Sequence, residues 1–157
     1  MQERDEDFHK DVDIVRLYRQ DIPRSPLLTK ADEVSLAQAI ERGHRAQELL
    51  GVLTEGDSKV QFEEQIQQGA DARKQFIESN RGLVWKNASK YLSLGIPILD
   101  LIQEGNIGLM RTVDKFDWRK GYKFSTYATY WILQAIRRRL PGQLSGKLPI
   151  PAHTNDA

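Results

Sequence analysis

Cysteine is absent from all 157 residues, which excludes disulfide scaffolds, thiolate metal centres and cysteine nucleophiles together. No apolar run approaches the roughly 18 residues that a membrane-spanning helix needs, so no membrane partner is expected. The opening Met1-Gln-Glu-Arg-Asp-Glu-Asp7 holds no signal-peptide core, and a reducing cytoplasm is the expected setting. Histidine is scarce. His9, His44 and His153 are far apart, without HExxH-like spacing and without a nucleophile setting. No Gly-rich phosphate loop is present, because Gly105-Asn-Ile-Gly108 sits in a helical pattern with no Lys-Ser/Thr pair after it. Asp100, Glu104, Asp114 and Asp117 are explained by capping, dipole and contact roles before metal ligation. Neither a metal, nor a cofactor, nor an enzymatic activity is expected.

What is present is 39% hydrophobic and 29% charged residues, a balance that suits one globular domain with its own core. The net charge of +1 conceals a gradient. Residues 1–70 carry 9 Lys/Arg against 15 Asp/Glu, 71–110 carry 5 against 4, and 111–157 carry 9 against 3. A balance that moves from −6 to +6 points to a polyanion at the C-terminal half. Phe116, Trp118, Tyr122, Phe124, Tyr127, Tyr130 and Trp131 fall in the same half, interleaved with Arg119, Lys120 and Lys123. Rings among cations are what a single-stranded nucleic-acid surface needs.

Apolar spacing reads as helix nearly throughout, so the expected fold is all-α: a compact multi-helix bundle with a short N-terminal helical region and an irregular C-terminal tail. A disordered tail is expected over 1–10, N-terminal helices over 11–45, a variable connector with at most a short helix over 46–70, the helical core over 71–140 and a linker over 141–157. The first helix should carry Val12, Val15 and Tyr18 and stop at Ile22-Pro23. Thr29 should cap the second, which Gly43 should end. A third should run from Asp71 to about Leu94, with Leu92 among its inward residues, until Gly95-Ile96-Pro97 breaks it. Asp100 should cap the next, and Ser125 or Thr126 the last, which Pro141-Gly142 should terminate. On that last helix Ala128, Ile132, Ala135 and Ile136 form one stripe. Tyr127, Tyr130, Trp131, Gln134, Arg137 and Arg138 fall largely opposite it.

The block Leu99-Asp-Leu-Ile-Gln-Glu-Gly-Asn-Ile-Gly-Leu-Met-Arg-Thr-Val-Asp-Lys-Phe116, followed by Arg119-Lys-Gly-Tyr-Lys-Phe-Ser-Thr-Tyr-Ala-Thr-Tyr-Trp-Ile132, closely resembles the most invariant part of the sigma-70 family, the promoter-specificity subunits of bacterial RNA polymerase. Upstream, Val15-Arg-Leu-Tyr18, Ile22-Pro-Arg-Ser-Pro-Leu-Leu-Thr29 and Glu33-Val-Ser-Leu-Ala-Gln-Ala-Ile40 are similar to that family's region 1.2, and Phe76-Ile-Glu-Ser-Asn-Arg-Gly-Leu-Val84 to its region 2.1. The resemblance implies a region-2-type bundle acting in the bacterial cytoplasm at the nucleoid. It implies docking on core RNA polymerase, at the beta-prime coiled coil, through Asp100, Gln103, Glu104, Asn106 and Met110. An anti-sigma factor is a further class of partner in the family.

The same resemblance implies recognition and melting of the −10 promoter element on its non-template strand. The wall for flipped bases falls on Phe116, Tyr122, Phe124, Thr126, Tyr127, Thr129, Tyr130 and Trp131, with a thymine pocket at Asn80. Lys120, Lys123, Arg137 and Arg138 supply attraction for phosphate, and Gln134 with Arg137 borders the upstream base pair. Tyr130 stands where housekeeping members usually have Trp, Leu133 where Arg is usual, Arg81-Gly82 where Leu-Arg is usual, and Arg137 where Thr is frequent. The changes at Arg81-Gly82, Leu133 and Arg137 leave a second reading in play, a regulatory paralogue or decoy that docks without productive melting; a third reading is a general single-strand binder. After Pro141 only Ile150-Pro-Ala-His153 is similar to the family, so the chain is expected to be a fragment of a longer factor.

Overall fold

The computed structural model describes residues 2–22, 27–52 and 58–140, excluding the side chains of 2–9 and 11. Among the described residues the secondary structure is wholly helical: α1 Gln2–Asp21, α2 Lys30–Val52, α3 Ser58–Ser79, α4 Arg81–Ala88, α5 Ile98–Lys115 and α6 Phe124–Arg139. Short 3₁₀ turns at Ser89–Leu94 and Trp118–Lys120 lead into α5 and α6. The all-α expectation holds. The Ser25-Pro26 segment, the Pro141-Gly142 stop and the tail to Ala157 lie outside the described residues.

Local chemistry sets α2 where it was expected. The Thr29 hydroxyl accepts from the Asp32 N–H at 3.1 Å, and the Asp32 carboxylate accepts from the Thr29 N–H at 2.9 Å. This reciprocal pair satisfies two donors at the helix start and holds the Asp32 carboxyl below its ordinary pKa. Three other expectations need correction. The first helix begins at Gln2, within the stretch expected to be disordered. Gly43 does not end α2, which continues to Val52. And the expected 46–70 connector is mostly helix, with α2 running through it to Val52 and α3 starting at Ser58.

One contact explains the last two. A Cβ built on Gly43 would lie 3.0 Å from the Gly69 Cα, and one on Gly69 would lie 3.0 Å from the Gly43 Cα. The two helices therefore cross backbone against backbone, with Ala46 and Ala72 buried alongside. Glycine is needed here for closeness and not as a stop. Packing along this seam stabilises a polar helix that its own propensity would leave marginal.

The continuous helix expected from Asp71 to Leu94 is broken. α3 ends at Ser79, Asn80 is non-helical, and α4 gives way to the 3₁₀ turn at Ser89. Leu92 is 49% exposed, not inward. Gly95 takes φ +71°, a left-handed conformation that side chains rarely adopt, and so ends that turn. α5 starts at Ile98 after Pro97, which places Asp100 in the first turn instead of at the cap. Phe76, Val84, Leu101, Ile102, Leu109, Phe124, Ile132 and Ile136 form the centre of the core.

α5 and α6 pack antiparallel and nearly touch. A Cβ on Gly108 would lie 2.8 Å from the Trp131 carbonyl oxygen and 3.1 Å from the Ala135 Cβ. The first obstacle is backbone and cannot rotate away. Gly108→Ala is therefore expected to lower stability by about 1–3 kcal/mol through overpacking, despite the helix-propensity gain from alanine. A urea midpoint no lower than that of the parent chain would disprove this tight approach.

Candidate nucleic-acid and polymerase interface

The rings expected to meet bases form two layers. In the inner layer Phe124 is wholly buried, 4.5 Å from Phe76 and 5.3 Å from Phe116 between ring centroids. Phe124 was expected in the base-stacking wall, and that assignment is corrected: the first residue of α6 turns into the core and backs the wall. The outer layer runs Phe116–Tyr122–Tyr127–Trp131–Tyr130, with centroid spacings of 6.4, 5.8, 6.3 and 5.1 Å. Tyr122 is 38% exposed, and Phe116, Tyr127, Tyr130 and Trp131 are half-buried. Each outer ring keeps one side against protein and leaves some surface free. Thr126 is exposed, whereas the half-buried Thr129 donates its hydroxyl to the Ser125 carbonyl at 2.7 Å. Lys120 and Lys123 are exposed beside Tyr122 in the sequence.

α2 fixes the turn that carries these rings. Neither Ser125 nor Thr126 caps α6, as had been expected; the buried Glu33 of α2 accepts from the Phe124 N–H at 3.1 Å instead. A carboxylate at a helix N-terminus also complements its dipole. Lys30 donates to the Gly121 carbonyl. Arg119 makes a two-pronged bond to Glu41 at 2.7 and 2.9 Å and lies 4.4 Å over the Trp118 ring. Its guanidinium bonding holds the Glu41 carboxyl below its ordinary pKa, and the same bonding raises that of Arg119.

Between α5 and α6 lies a groove of about 170 Å³ lined by Arg111, Lys115, Tyr127, Trp131, Gln134 and Arg138, with Gly108, Thr112 and Ala135 also lining it. Arg111 and Lys115 were missed in the sequence. Their signal was the i, i+4 spacing on the α5 stripe that contains Gly108. Gln134 and Arg138 share this groove, while the half-buried Arg137 lies within electrostatic reach of Tyr91. Asn80 is half-buried at the α3–α4 junction, its amide donating to the Phe76 carbonyl at 2.8 Å. It is one turn from the inner rings. Beside it, Arg81 lies 5.3 Å over the Tyr18 ring and contacts Glu78 and Asp21 at 3.3 and 3.5 Å.

The expected docking residues do not all share one face. Asp100 and Gln103 are exposed, and Met110 is half-buried. Glu104 is half-buried and pairs with Arg139 at 3.2 Å. Asn106 turns towards α1, its amide 3.4 Å from the Tyr18 hydroxyl and its carbonyl oxygen buried. Ile107, 39% exposed, lies at i+4 from Gln103 and i−3 from Met110 and was not singled out in the sequence.

The family model for Sigma-70 region 2 matches residues 76–143, and that for Sigma-70 factor region 1.2 matches residues 13–46. The chain belongs to the sigma-70 family. It is 48% identical over 146 residues to the RNA polymerase principal sigma factor HrdD of Streptomyces viridifaciens, an alignment covering 91% of this chain and 44% of that protein. It is 46% identical over 147 residues to HrdD of Streptomyces griseus, with the same shares covered, and 45% identical over 134 residues to the principal sigma factor HrdC of Streptomyces coelicolor, covering 82% of this chain and 40% of that one. The chain thus spans less than half the length of these relatives. In the sigma-70 frame, the α2 residues that grip the ring-bearing turn belong to region 1.2, and the two ring layers belong to region 2. The first part of α3, Ser58 to Gln75, lies between the two matched regions.

Proposed function

We propose that this chain is the part of a sigma factor that docks on core RNA polymerase and captures the melted −10 element of a promoter, acting in the bacterial cytoplasm. The observation that carries the reading is the outer ring layer of α6 beside a groove holding Arg111, Lys115 and Arg138. Flat, half-covered rings offer stacking surfaces to bases, and the cations follow a phosphate backbone. Stacking contributes about 1–3 kcal/mol per base, so two or three bases offset the few kcal/mol of unpairing. Melting then follows from binding energy. Asn80, with the adjacent Arg81 lying over the Tyr18 ring of α1, forms a second polar-aromatic patch suited to a base downstream of the wall. Asp100, Gln103 and Ile107 give the outside of α5 an acidic, amide and apolar surface that fits a basic amphipathic helix pair, such as the beta-prime coiled coil.

The deciding experiment measures binding of non-template oligomers with each base of a TATAAT-like element varied in turn. Strong preference for the intact element at two or more positions is expected; equal affinity for a scrambled oligomer would make the chain a general single-strand binder. At the upstream base pair Gln134 and Arg137 are the proposed readers. Arg137→Thr should shift preference there towards thymine by about 1–3 kcal/mol if the arginine meets guanine. An equal loss for all four base pairs would leave Arg137 a purely electrostatic role.

A further inference from the structure

Arg139 occupies the last turn of α6, and its Nε lies 3.2 Å from the Glu104 carboxylate of α5. The antiparallel packing places this pair at one end of the α5–α6 groove, one turn beyond the contact of Gly108 with Ala135. Glu104, Gly108, Arg111 and Lys115 recur at spacings of four, three and four residues, so one stripe of α5 carries the acid at one end and two cations at the other. Arg138, next to Arg139, lines the same groove. The Arg139 side chain is 58% exposed and that of Glu104 27% exposed, so either can exchange its partner without unpacking the core.

We propose that Arg139 is shared between two partners: it neutralises Glu104 in the free chain, and when the polymerase claims Glu104 it is released to nucleic-acid phosphate at the end of the groove. The proposal rests on reading the outside of α5 as the docking surface. A carboxylate engaged by a partner's cation holds Arg139 less strongly. Arg139 then remains beside Arg138 at the end of the groove that Arg111 and Lys115 line two and three turns further along α5, where the phosphates of a polyanion lying in the groove attract it. Linkage makes the effect reciprocal. Whatever Arg139 contributes to Glu104 in the free chain opposes docking, and docking returns it to DNA binding. An ion pair this exposed changes an equilibrium by a factor of about two to five.

The test uses core RNA polymerase and a fork-junction DNA, duplex upstream and single-stranded across the −10 element. Arg139→Ala is expected to tighten core binding by about two- to fivefold, the scale of an exposed ion pair. It should leave DNA affinity of the free chain within about twofold. In the polymerase-bound state it should lower DNA affinity by about threefold or more and reduce the salt slope by about one. Arg139→Lys, which keeps the charge, should restore that loss. If Arg139→Ala weakens core binding, or lowers DNA affinity equally with and without polymerase, the sharing is overturned. Gln103→Lys separates the two layers of inference. Core binding that survives it overturns the docking surface itself. Core binding lost to Gln103→Lys, together with no effect of Arg139→Ala, overturns the sharing alone.

Discussion

Phe124→Ala should unfold the chain more readily, by about 3–5 kcal/mol, whereas Tyr127→Ala should weaken −10 oligomer binding by about 1–3 kcal/mol with a much smaller folding loss. The two rings are three residues apart on α6, yet their surroundings differ. Phe124 has no exposed surface and meets Phe76 and Phe116 edge-on. Removing it leaves a cavity walled by two rings whose positions the rest of the ring ladder depends on. Tyr127 lies half-exposed between Tyr122 and Trp131 on the groove side. Its loss removes stacking surface but opens no deep void. Urea midpoints and oligomer affinities, measured on both variants, separate the roles. A Tyr127→Ala midpoint as low as that of Phe124→Ala would make Tyr127 a core residue and remove it from the base-contacting wall.

This contrast also marks where the sequence could and could not be read. The Thr29–Asp32 cap was legible because both partners sit within four residues and chemistry alone joins them. The buried stripe of Ala128, Ile132, Ala135 and Ile136 was legible for the same reason, being periodic within one helix. Phe124 was not. It opens α6 with its backbone N–H bonded to a buried Glu33 that lies 91 residues away in the chain, and its ring packs inward on Phe76, which lies on α3. Gly43 read as a stop because its partner, Gly69, lies on another helix, and only the crossing shows why both lack a side chain. Residues 58–70 read as a connector because their helix depends on that crossing and carries few apolar residues of its own. In the candidate interface, the outer rings and the exposed Asp100 and Gln103 could be named from the family resemblance. Arg111 and Lys115 could not, since their place depends on how closely α5 approaches α6. Ile107 was passed over because an apolar residue in a helical pattern is ordinarily assigned to the core.

Ile107→Glu should reduce core polymerase binding by about two orders of magnitude while leaving the urea midpoint within about 0.5 kcal/mol of the parent, as is usual for exposed positions. Ile107 is 39% exposed, so its burial in the free chain contributes little to folding. Its neighbours on the outer stripe are Gln103 one turn before and Met110 one turn after, with Asp100 beyond Gln103. An apolar centre, here Ile107 with Met110, bordered by polar side chains is the arrangement in which truncation or charge is most costly to a protein interface, because water is excluded from the centre and admitted at the rim. A carboxylate placed there would face Arg111 at i+4 in the free chain, and at the centre of the interface it would have to be desolvated where an apolar contact had been. The acidic end of the stripe should respond differently. Asp100→Asn removes one charge at the rim and should mainly slow association and weaken the salt dependence, with affinity changing by less than about tenfold. Association and dissociation rates for core polymerase, measured for both variants at two salt concentrations, test this division. If Ile107→Glu binds core as tightly as the parent chain, the centre of the docking surface does not lie on this stripe of α5. The polymerase would then have to approach through another face of the bundle.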